Sequence, residues 1–318
     1  MDAQTQGTLL AAGPPPPEFS PSTNALPSLP ITASITARRA TDVSWHARLQ
    51  LRVRTEGART VTRFEHEGPL RLLQTLYPEG DAIAHNVLVH PPSGIVGGDT
   101  LEIDIGVAAG AHGLVTTPGA SRFYRSDAAR AVQSTRIGLA ESARFEWLPL
   151  ETLCYSGCIA TNRLVFDLAP GAEAMGWDVT ALGLPTAGAP FVEGELLQHV
   201  ELHGQWLERG RIAARDARLM DGALGLQGRR CVATLFLICG SDIARPRREL
   251  LLDAAREVIG SHELAAWAGA TAPGPRVLVV RAVAPLVEPA MTLLRAVRQV
   301  WRPLAWNLGA TSPRTWAA

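Results

Sequence analysis

The sequence predicts a mainly β protein that is built from layered sheets and carries two α-helices near its C-terminus. From residue 45 onward, short segments with alternating apolar and polar residues recur at intervals of roughly 10–15 residues. Apolar residues at helical spacing stand out only after residue 245. Regularly spaced short strands with few helices are typical of sandwich, barrel or solenoid architectures.

The predicted strands follow one another along most of the chain. Leu101, Ile103 and Ile105 alternate with polar residues, as expected for a strand that is buried on one face. A second strand should follow it, before the corner at Pro118 and Gly119. The predicted strands cover residues 46–54, 60–66, 83–90, 101–107, 129–139, 143–148, 158–168, 172–182, 196–203, 205–213 and 277–283.

Two helices are predicted in the last quarter of the chain, over residues 247–259 and 286–301. Gly260 is expected to cap the first helix, Pro289 fits the first turn of the second, and Pro303 should stop it. The apolar face of the second helix is expected to pack into the core, with a partner surface as the alternative. That face consists of Leu286, Met291, Leu294, Val297 and Trp301.

The charge composition excludes several classes of function. The 318 residues include 30 acidic residues and 30 arginines but no lysine, so the formal net charge is zero. Without lysine, the chain can form neither a P-loop nor a Schiff base. Without a basic excess, a nucleic-acid surface is not expected. Four scattered cysteines do not make a disulfide framework in a chain of this length.

The chain is predicted to have two parts. Residues 1–43 are rich in proline, serine, threonine and alanine, and we expect a disordered tail there. Residues 44–318 are expected to form a single β-rich domain. The N-terminus shows no secretory signal pattern, and the chain has no run of about 18 apolar residues that could span a membrane. The predicted location is therefore the cytoplasm.

Residues 91–126 form the most tightly specified segment of the sequence. Gly94, Gly97 and Gly98 indicate backbone positions where a side chain would clash or where φ is positive. Their spacing does not match G-x-G-x-x-G, and a strand rather than a helix follows them. The segment is therefore interpreted as a corner of a β structure and not as a nucleotide-binding loop.

Residues 199–203 offer one possible metal site. His199, Glu201 and His203 alternate along a predicted strand and therefore share one face. Two imidazoles and a carboxylate can hold a transition metal. The alternative interpretation is the polar outer face of a hairpin. Cys154 and Cys158 do not have the C-x-x-C spacing and are interpreted as ordinary thiols.

Several carboxylates lie beside glycine or tryptophan residues or near the end of a strand. Asp99 follows two glycines, Glu146 precedes Trp147, Asp178 follows Trp177, and Glu208 lies in a strand. Each of these carboxylates can simply pair with an arginine. The alternative is that some of them supply oxygen ligands inside a polar passage.

Four segments together make the chain resemble a known family. They are PPSGIVGGD (91–99), TTPGASRFYRS (116–126), EWLPLET (146–152) and GWDVTALGLP (176–185), and PRTW (313–316) follows near the C-terminus. In this order they closely resemble the UreD family of urease accessory proteins, called UreH in some organisms. The resemblance covers about residues 45–316. Ser93 stands where the family usually has glycine.

The resemblance implies a β-helix-like stack of sheets with two helices and a role without catalysis. Proteins of this family are scaffolds in the maturation of urease, whose active site holds two nickel ions bridged by a carbamylated lysine. They bind apo-urease and a UreF-like partner, which recruits the GTPase UreG. Nickel is thought to pass through an internal, water-filled passage. No tightly bound cofactor is therefore expected, and Ni(II) should bind only transiently.

This resemblance leads to a hypothesis about individual residues. Asp99, Asp178 and Glu208, with Glu151 as a weaker fourth, are expected to line a hydrated nickel path, because exchangeable oxygen ligands suit a transient ion. Two alternatives remain open. The protein can act as a purely structural chaperone of apo-urease, or it can be a β-solenoid carbohydrate-active enzyme with paired carboxylates.

Overall fold

The computed structural model describes residues 44–317, so the predicted tail over residues 1–43 lies outside the described part. The described residues form eighteen strands and three α-helices. The strands are β1 (His46–Glu56), β2 (Arg59–Glu67), β3 (Arg71–Leu72), β4 (Ile83–Val89), β5 (Thr100–Val107), β6 (His112–Thr116), β7 (Ser121–Phe123), β8 (Ala131–Leu139), β9 (Arg144–Leu148), β10 (Thr152–Cys154), β11 (Cys158–Leu168), β12 (Glu173–Leu184), β13 (Ala189–Pro190), β14 (Gly194–Leu202), β15 (Trp206–Ala213), β16 (Cys231–Cys239), β17 (Ala268–Gly274) and β18 (Val277–Ala284). The helices are α1 (Ala217–Asp221), α2 (Arg245–Gly260) and α3 (Val287–Trp306).

One sheet, here called sheet I, contains seven strands in the order β15-β14-β11-β8-β5-β1-β2. Its five central strands run parallel to one another, while β2 and β15 are antiparallel flanking strands. Parallel neighbours require crossover connections, and here the crossovers pass through the second sheet.

The second sheet, sheet II, has the main strand order β17-β18-β16-β12-β9-β6-β4-β3. Strands β4, β6, β9 and β12 are parallel, whereas β16, β18 and β17 continue the sheet in antiparallel fashion. A short parallel ladder joins β7 and β10 to the second half of β12.

The chain therefore winds as a coil between the two sheets. It passes from β5 in sheet I through β6 and β7 to β8, then through β9 and β10 to β11, and then through β12 to β14. Each turn of the coil adds one parallel strand to each large sheet. The predicted mainly β, solenoid-like stack is confirmed.

Two hydrophobic cores lie on opposite faces of sheet II. The first lies between the two sheets, where Phe166 of β11 meets Phe236 of β16 at a ring-centroid distance of 5.3 Å. The second lies between sheet II and the helices and includes Trp177 and Trp301. Because successive strand residues face opposite sides, a single strand such as β12 contributes to both cores.

The two predicted helices are present, with corrected ends. α2 includes Gly260 as its last residue, and Ser261 takes the capping position. α3 continues through Pro303 to Trp306 and ends at Asn307 in the left-handed conformation, so the predicted stop at Pro303 is wrong. The last turn is held from outside the helix, because Trp306 Nε1 donates to Glu173 Oε2 at 2.7 Å. Proline removes one helical hydrogen bond, and this contact helps to offset the loss.

The apolar face of α3 is core, as the first interpretation expected. Met291, Leu294, Val297 and Trp301 are buried, and Leu286 lies just before the helix at 36% exposure. The prediction missed the short helix α1 and the strands β16 and β17, as well as the two- or three-residue strands β3, β7, β10 and β13. All four cysteines are buried free thiols.

A buried ionic network anchors α3 to sheet II. Glu146 of β9 is fully buried and accepts from Arg298 Nε at 2.8 Å and from Arg302 Nε at 3.0 Å. Arg302 also donates through both terminal nitrogens to Glu79, at 2.6 and 2.8 Å. Burial alone would raise the pKa of Glu146, but the two guanidinium charges and His112 hold that pKa well below its usual range.

The C-terminal segment crosses the second core after α3. The Trp316 ring lies 5.2 Å from the Trp177 ring, and Trp316 Nε1 donates to Thr116 Oγ1 at 3.0 Å. Arg298 additionally donates to the Thr311 carbonyl oxygen at 3.1 Å. The end of the chain is thereby attached to the strand that leads into the 116–126 segment.

Candidate functional site

Three cavities lie in a row between the two sheets. The first has a volume of about 330 Å³ and lies beside the 91–99 loop. The middle one is much smaller, about 20 Å³. The third measures about 380 Å³ and lies under β14, β15 and β16.

The cavities share wall residues and therefore lie side by side as a series. Ser121 and Gln133 line both the first and the middle cavity, and Asp178 lines both the middle and the third. A space of roughly 10–15 Å³ by this measure holds one water molecule, so the middle cavity has room for about one. The series is therefore wide at both ends and narrow beside Asp178.

Asp178 is held at this constriction by neutral groups. Its carboxylate accepts from Asn162 Nδ2 at 3.1 Å, from Gln198 Nε2 at 2.6 Å and from Thr180 Oγ1 at 3.5 Å. Among the described residues, no arginine or histidine forms an ion pair with it. Removal from water raises the pKa of Asp178 to about 6, although the three hydrogen bonds oppose that shift.

Glu208 lines the third cavity and differs from Asp178 in having a cationic partner. It lies on β15, at the edge of sheet I, and forms an ion pair with Arg281 of β18 in sheet II. The two side chains are 27% and 45% exposed, so the pair lies near solvent. The structure therefore brings Asp178 and Glu208 to one cavity in different electrostatic settings.

Strand register explains why these polar side chains share the cavity. In sheet II, Asp178 pairs with Thr234 of β16, which in turn pairs with Arg281 of β18. Directly paired residues project from the same face of a sheet, so the three form one row facing sheet I. In sheet I, Glu208 pairs with Val200, and both line the third cavity.

Asp99 is located in a tight turn and is not among the residues that line these cavities. It is 5% exposed and accepts from the backbone amides of Trp45 and Val96, at 2.8 and 3.0 Å. The structure gives this carboxylate a role in closing the 91–99 loop. Whether it contacts nickel stays a prediction.

Glu151 faces away from the cavities. Burial raises the pKa of Cys231 to about 12, and the negative charge of Glu151 adds to this shift. Cys231 belongs to the core between sheet II and the helices. The Glu151 carbonyl oxygen accepts from the Ser121 amide at 3.0 Å. Glu151 therefore supports the wall beside the middle cavity with its backbone, while its carboxylate lies on the other side of sheet II.

The three residues of the 199–203 segment share one face, as predicted. Glu201 lies 2.7 Å from His199 Nε2 and 3.4 Å from His203 Nδ1. His203 is 71% exposed, which agrees with the outer face of a hairpin. Within residues 44–317, no group of three or more His, Cys, Asp or Glu side chains is arranged to hold a metal ion. The metal interpretation of these residues gains no support.

The 91–99 loop closes one wall of the first cavity under strict steric conditions. A Cβ atom on Gly94 would overlap the ring of Tyr124, which explains the glycine. Ser93 adopts a φ of 61°, a backbone conformation in which glycine is favoured. His90 also lines this cavity, and its Nε2 is buried without a hydrogen-bond partner.

Sequence reasoning missed three groups that shape the site. Asn162, Gln198 and Arg281 were not singled out, although each follows the inward alternation of its strand. Buried polar residues at inward-facing positions of an apolar strand carry a signal of their own, because burial without a partner is costly. Asn162, at 6% exposure between the apolar residues Ala160 and Leu164, is such a case.

Comparisons with known proteins agree in pointing to one family. The family model described as "UreD urease accessory protein" matches residues 46–317. A protein from Variovorax paradoxus (strain S110) named "Urease accessory protein UreD" is 62% identical over 275 residues, which are 86% of this chain and 100% of that relative. Proteins of the same name from Paracidovorax citrulli (strain AAC00-1) and Leptothrix cholodnii (strain ATCC 51168 / LMG 8142 / SP-6) are 61% and 54% identical, and the matches cover 86% of this chain and 100% and 99% of the relatives.

Among the described residues, no helix is long and apolar enough to cross a membrane. The longest helix, α3, has 20 residues, but charged side chains such as Glu288, Arg295 and Arg298 interrupt it.

Proposed function

Since the chain belongs to the UreD family of urease accessory proteins, we propose that it is a non-catalytic scaffold that helps to deliver nickel to urease through the row of cavities between its sheets. A role in urease maturation follows from the family itself. The finer proposal is that the protein binds apo-urease and a UreF- and UreG-type partner complex, and that Ni(II) crosses it as cargo.

The observation that carries the proposal is an anionic group without a cationic partner at the narrowest point of the cavity row. Asp178 has an unusual environment, since it is only half-buried but lines a cavity without a charged partner, and a carboxylate withdrawn from water normally pairs with an arginine or a histidine. Keeping the Asp178 carboxylate ionised away from water costs free energy, and a passing cation can offset that cost. A divalent ion is therefore stabilised at the constriction more than a neutral solute would be.

The residues that line the middle cavity suit an ion that binds briefly and is then released. Carboxylate, hydroxyl and amide oxygens bind Ni(II) more weakly than thiolates do, and Asp178, Thr135, Gln133 and Asn162 offer such oxygens around the middle cavity. Because that cavity holds about one water molecule, a fully hydrated ion does not fit. We propose that nickel exchanges part of its water shell for these oxygens beside Asp178 and regains water in the third cavity.

The direct test replaces the two carboxylates that share the third cavity. We expect the double variant Asp178→Ala and Glu208→Ala to lose at least about tenfold in urease activation in cells, equivalent to about 1.4 kcal/mol for each tenfold change. Co-purification with the urease subunits and the partner proteins must remain normal. Full activation by an assembled double variant would remove both residues from the mechanism.

A second test blocks the constriction without removing any charge. Thr135 is buried at 1% exposure and lines the middle cavity. Thr135→Leu adds volume there and should lower activation, whereas Thr135→Ser keeps the hydroxyl, adds no volume and should leave the passage open. Equal activation by the two variants, with normal assembly, would instead favour a purely structural chaperone.

The purely structural role is the second candidate. It is favoured by the rigid setting of Asp99 and of the 91–99 loop, which supports the wall but exposes no ligand. A carbohydrate-active enzyme gains nothing from the family assignment. The cytoplasmic location stays a prediction.

A further inference from the structure

Beside the third cavity, two oppositely charged side chains link sheet I to sheet II. Glu208 belongs to β15, the edge strand of sheet I, and Arg281 belongs to β18, which lies next to the edge strand β17 of sheet II. The Glu208 and Arg281 side chains are 27% and 45% exposed, so this end of the third cavity lies close to solvent. The ion pair therefore lies at the mouth of the cavity.

Arg281 belongs to the same row of side chains as Asp178. Asp178, Thr234 and Arg281 are successive cross-strand partners, and adjacent strands lie about 4.8 Å apart. Two strand spacings place the backbones of Asp178 and Arg281 about 10 Å apart. A guanidinium that belongs to this row, in a cavity partly shielded from solvent, repels a second cation there.

We propose that Arg281 is a built-in counter-cation that occupies Glu208 when no metal is present and that an incoming Ni(II) ion must displace. This inference rests on the proposed nickel passage and adds a control on metal affinity to it. The flexible, 45% exposed arginine can swing into solvent, where hydration offsets the lost pair. The passing ion then contacts Glu208 and afterwards Asp178.

This competition between Arg281 and the metal ion gives a site that binds metal weakly. Nickel gains the Glu208 carboxylate only at the cost of the Arg281 pair, so its net affinity stays low and its release stays fast. When Arg281 returns to Glu208, it favours departure of the ion. Burial lowers the pKa of Arg281, although not enough to remove its charge at neutral pH.

The test uses the full-length ¹⁵N-labelled protein and Ni²⁺ alone. Paramagnetic broadening of the side-chain amide signals of Asn162 and Gln198, which both contact Asp178, reports even a weak site. Arg281→Gln should lower the nickel concentration needed for half-maximal broadening by about tenfold. In a protein that already carries Glu208→Gln, Arg281→Gln should change this nickel concentration by less than about threefold. Arg281 and Ni²⁺ then no longer compete for a carboxylate at position 208.

Two control variants separate charge from structure. Arg276 precedes β18 and pairs with Asp242 on the exposed surface, away from the cavity, so Arg276→Gln should leave the broadening unchanged. Arg281→Lys keeps the positive charge and should stay within about threefold of the natural protein. The amide spectra of all variants show directly whether each is folded.

The outcomes distinguish this inference from the function on which it rests. If nickel broadens both amides in the natural protein and Asp178→Asn abolishes the effect, but Arg281→Gln changes nothing, the counter-cation role is wrong and the passage stands. If Ni²⁺ broadens neither amide in any variant at millimolar concentration, the proposed passage falls and the role of Arg281 falls with it.

Discussion

Two carboxylates on neighbouring strands of sheet II, the fully buried Glu146 and the half-buried Asp178, show opposite solutions to the cost of removing a charge from water. Glu146 of β9 faces the helices and is surrounded by Arg298 and Arg302. Asp178 of β12 faces the other sheet and has only amide and hydroxyl donors. The pKa of Glu146 is strongly lowered, whereas the pKa of Asp178 is raised to about 6.

The negative charge of Glu146 stabilises the fold through its arginine partners, whereas the negative charge of Asp178 destabilises it. Removing one partner of a buried ion pair leaves an uncompensated charge, which costs far more than the pair itself contributes. Removing a lone buried carboxylate relieves a desolvation cost instead. Stability measurements can therefore tell the two carboxylates apart without any assay of function.

The largest effect is expected for the structural carboxylate. Glu146→Gln leaves the buried Arg298 without its anion and leaves Arg302 with Glu79 alone, and it should lower the free energy of unfolding by about 3–5 kcal/mol. Urea denaturation of the purified protein measures this. The exposed pair of Arg245 and Glu249 on α2 provides the control, and Glu249→Gln should leave the free energy of unfolding nearly unchanged. Similar losses for both variants would contradict the assigned role of Glu146.

The opposite sign is expected at the constriction. Asp178→Asn should raise the free energy of unfolding at pH 7 by up to about 3 kcal/mol, since a pKa near 6 lies about two units above the ordinary 3.8. The asparagine can still bond to Thr180, and the amides of Asn162 and Gln198 can present oxygen instead of nitrogen. Urease activation should nevertheless fall. A destabilised Asp178→Asn protein would remove the contrast with Glu146.

The gain from Asp178→Asn should depend on pH in a defined direction. The folded pKa lies above the unfolded one, so ionisation of Asp178 costs the folded state. Below about pH 4 the carboxyl is protonated in both states, and the two proteins should differ little. The difference should grow between about pH 4 and pH 6 and then stay constant. Urea titrations of both proteins across this range measure it, and a difference independent of pH would exclude desolvation as its cause.

The smallest effect is expected on the outer face of sheet I. Glu201 accepts from His199 near the surface, and Glu201→Gln should change the free energy of unfolding by less than about 1 kcal/mol. Urease activation should be unchanged, which an in-cell assay can check. A clear loss of activation in an assembled complex would restore the metal interpretation of the 199–203 segment.

The sequence predicted the repeated pattern of the fold better than its contacts. Alternation of apolar residues placed most strands of both sheets, because that period reports burial on one face. It could not predict β16, since Cys231–Cys239 is buried on both faces and reads as a continuous apolar run. It placed the stop of α3 too early because the contacts of Trp306 come from residues far away in the chain.

For the same reason, the residues of the candidate site could be predicted from the sequence only in part. Asp178 and Glu208 were selected, and both line the third cavity. Asp99 and, as a weaker fourth, Glu151 were selected too, but their carboxylates do not line the cavities, because a sequence pattern does not show which turn or face uses a side chain. Arg281 became visible only through its pairing across two sheets.

The anchoring of Trp316 has a practical consequence for handling the protein. Its indole lies against Trp177 and bonds to Thr116, so the chain terminus is part of the packed structure. A bulky group joined directly to Trp316 would pull on both contacts at once. Probes and purification handles should therefore be kept at a distance from this segment.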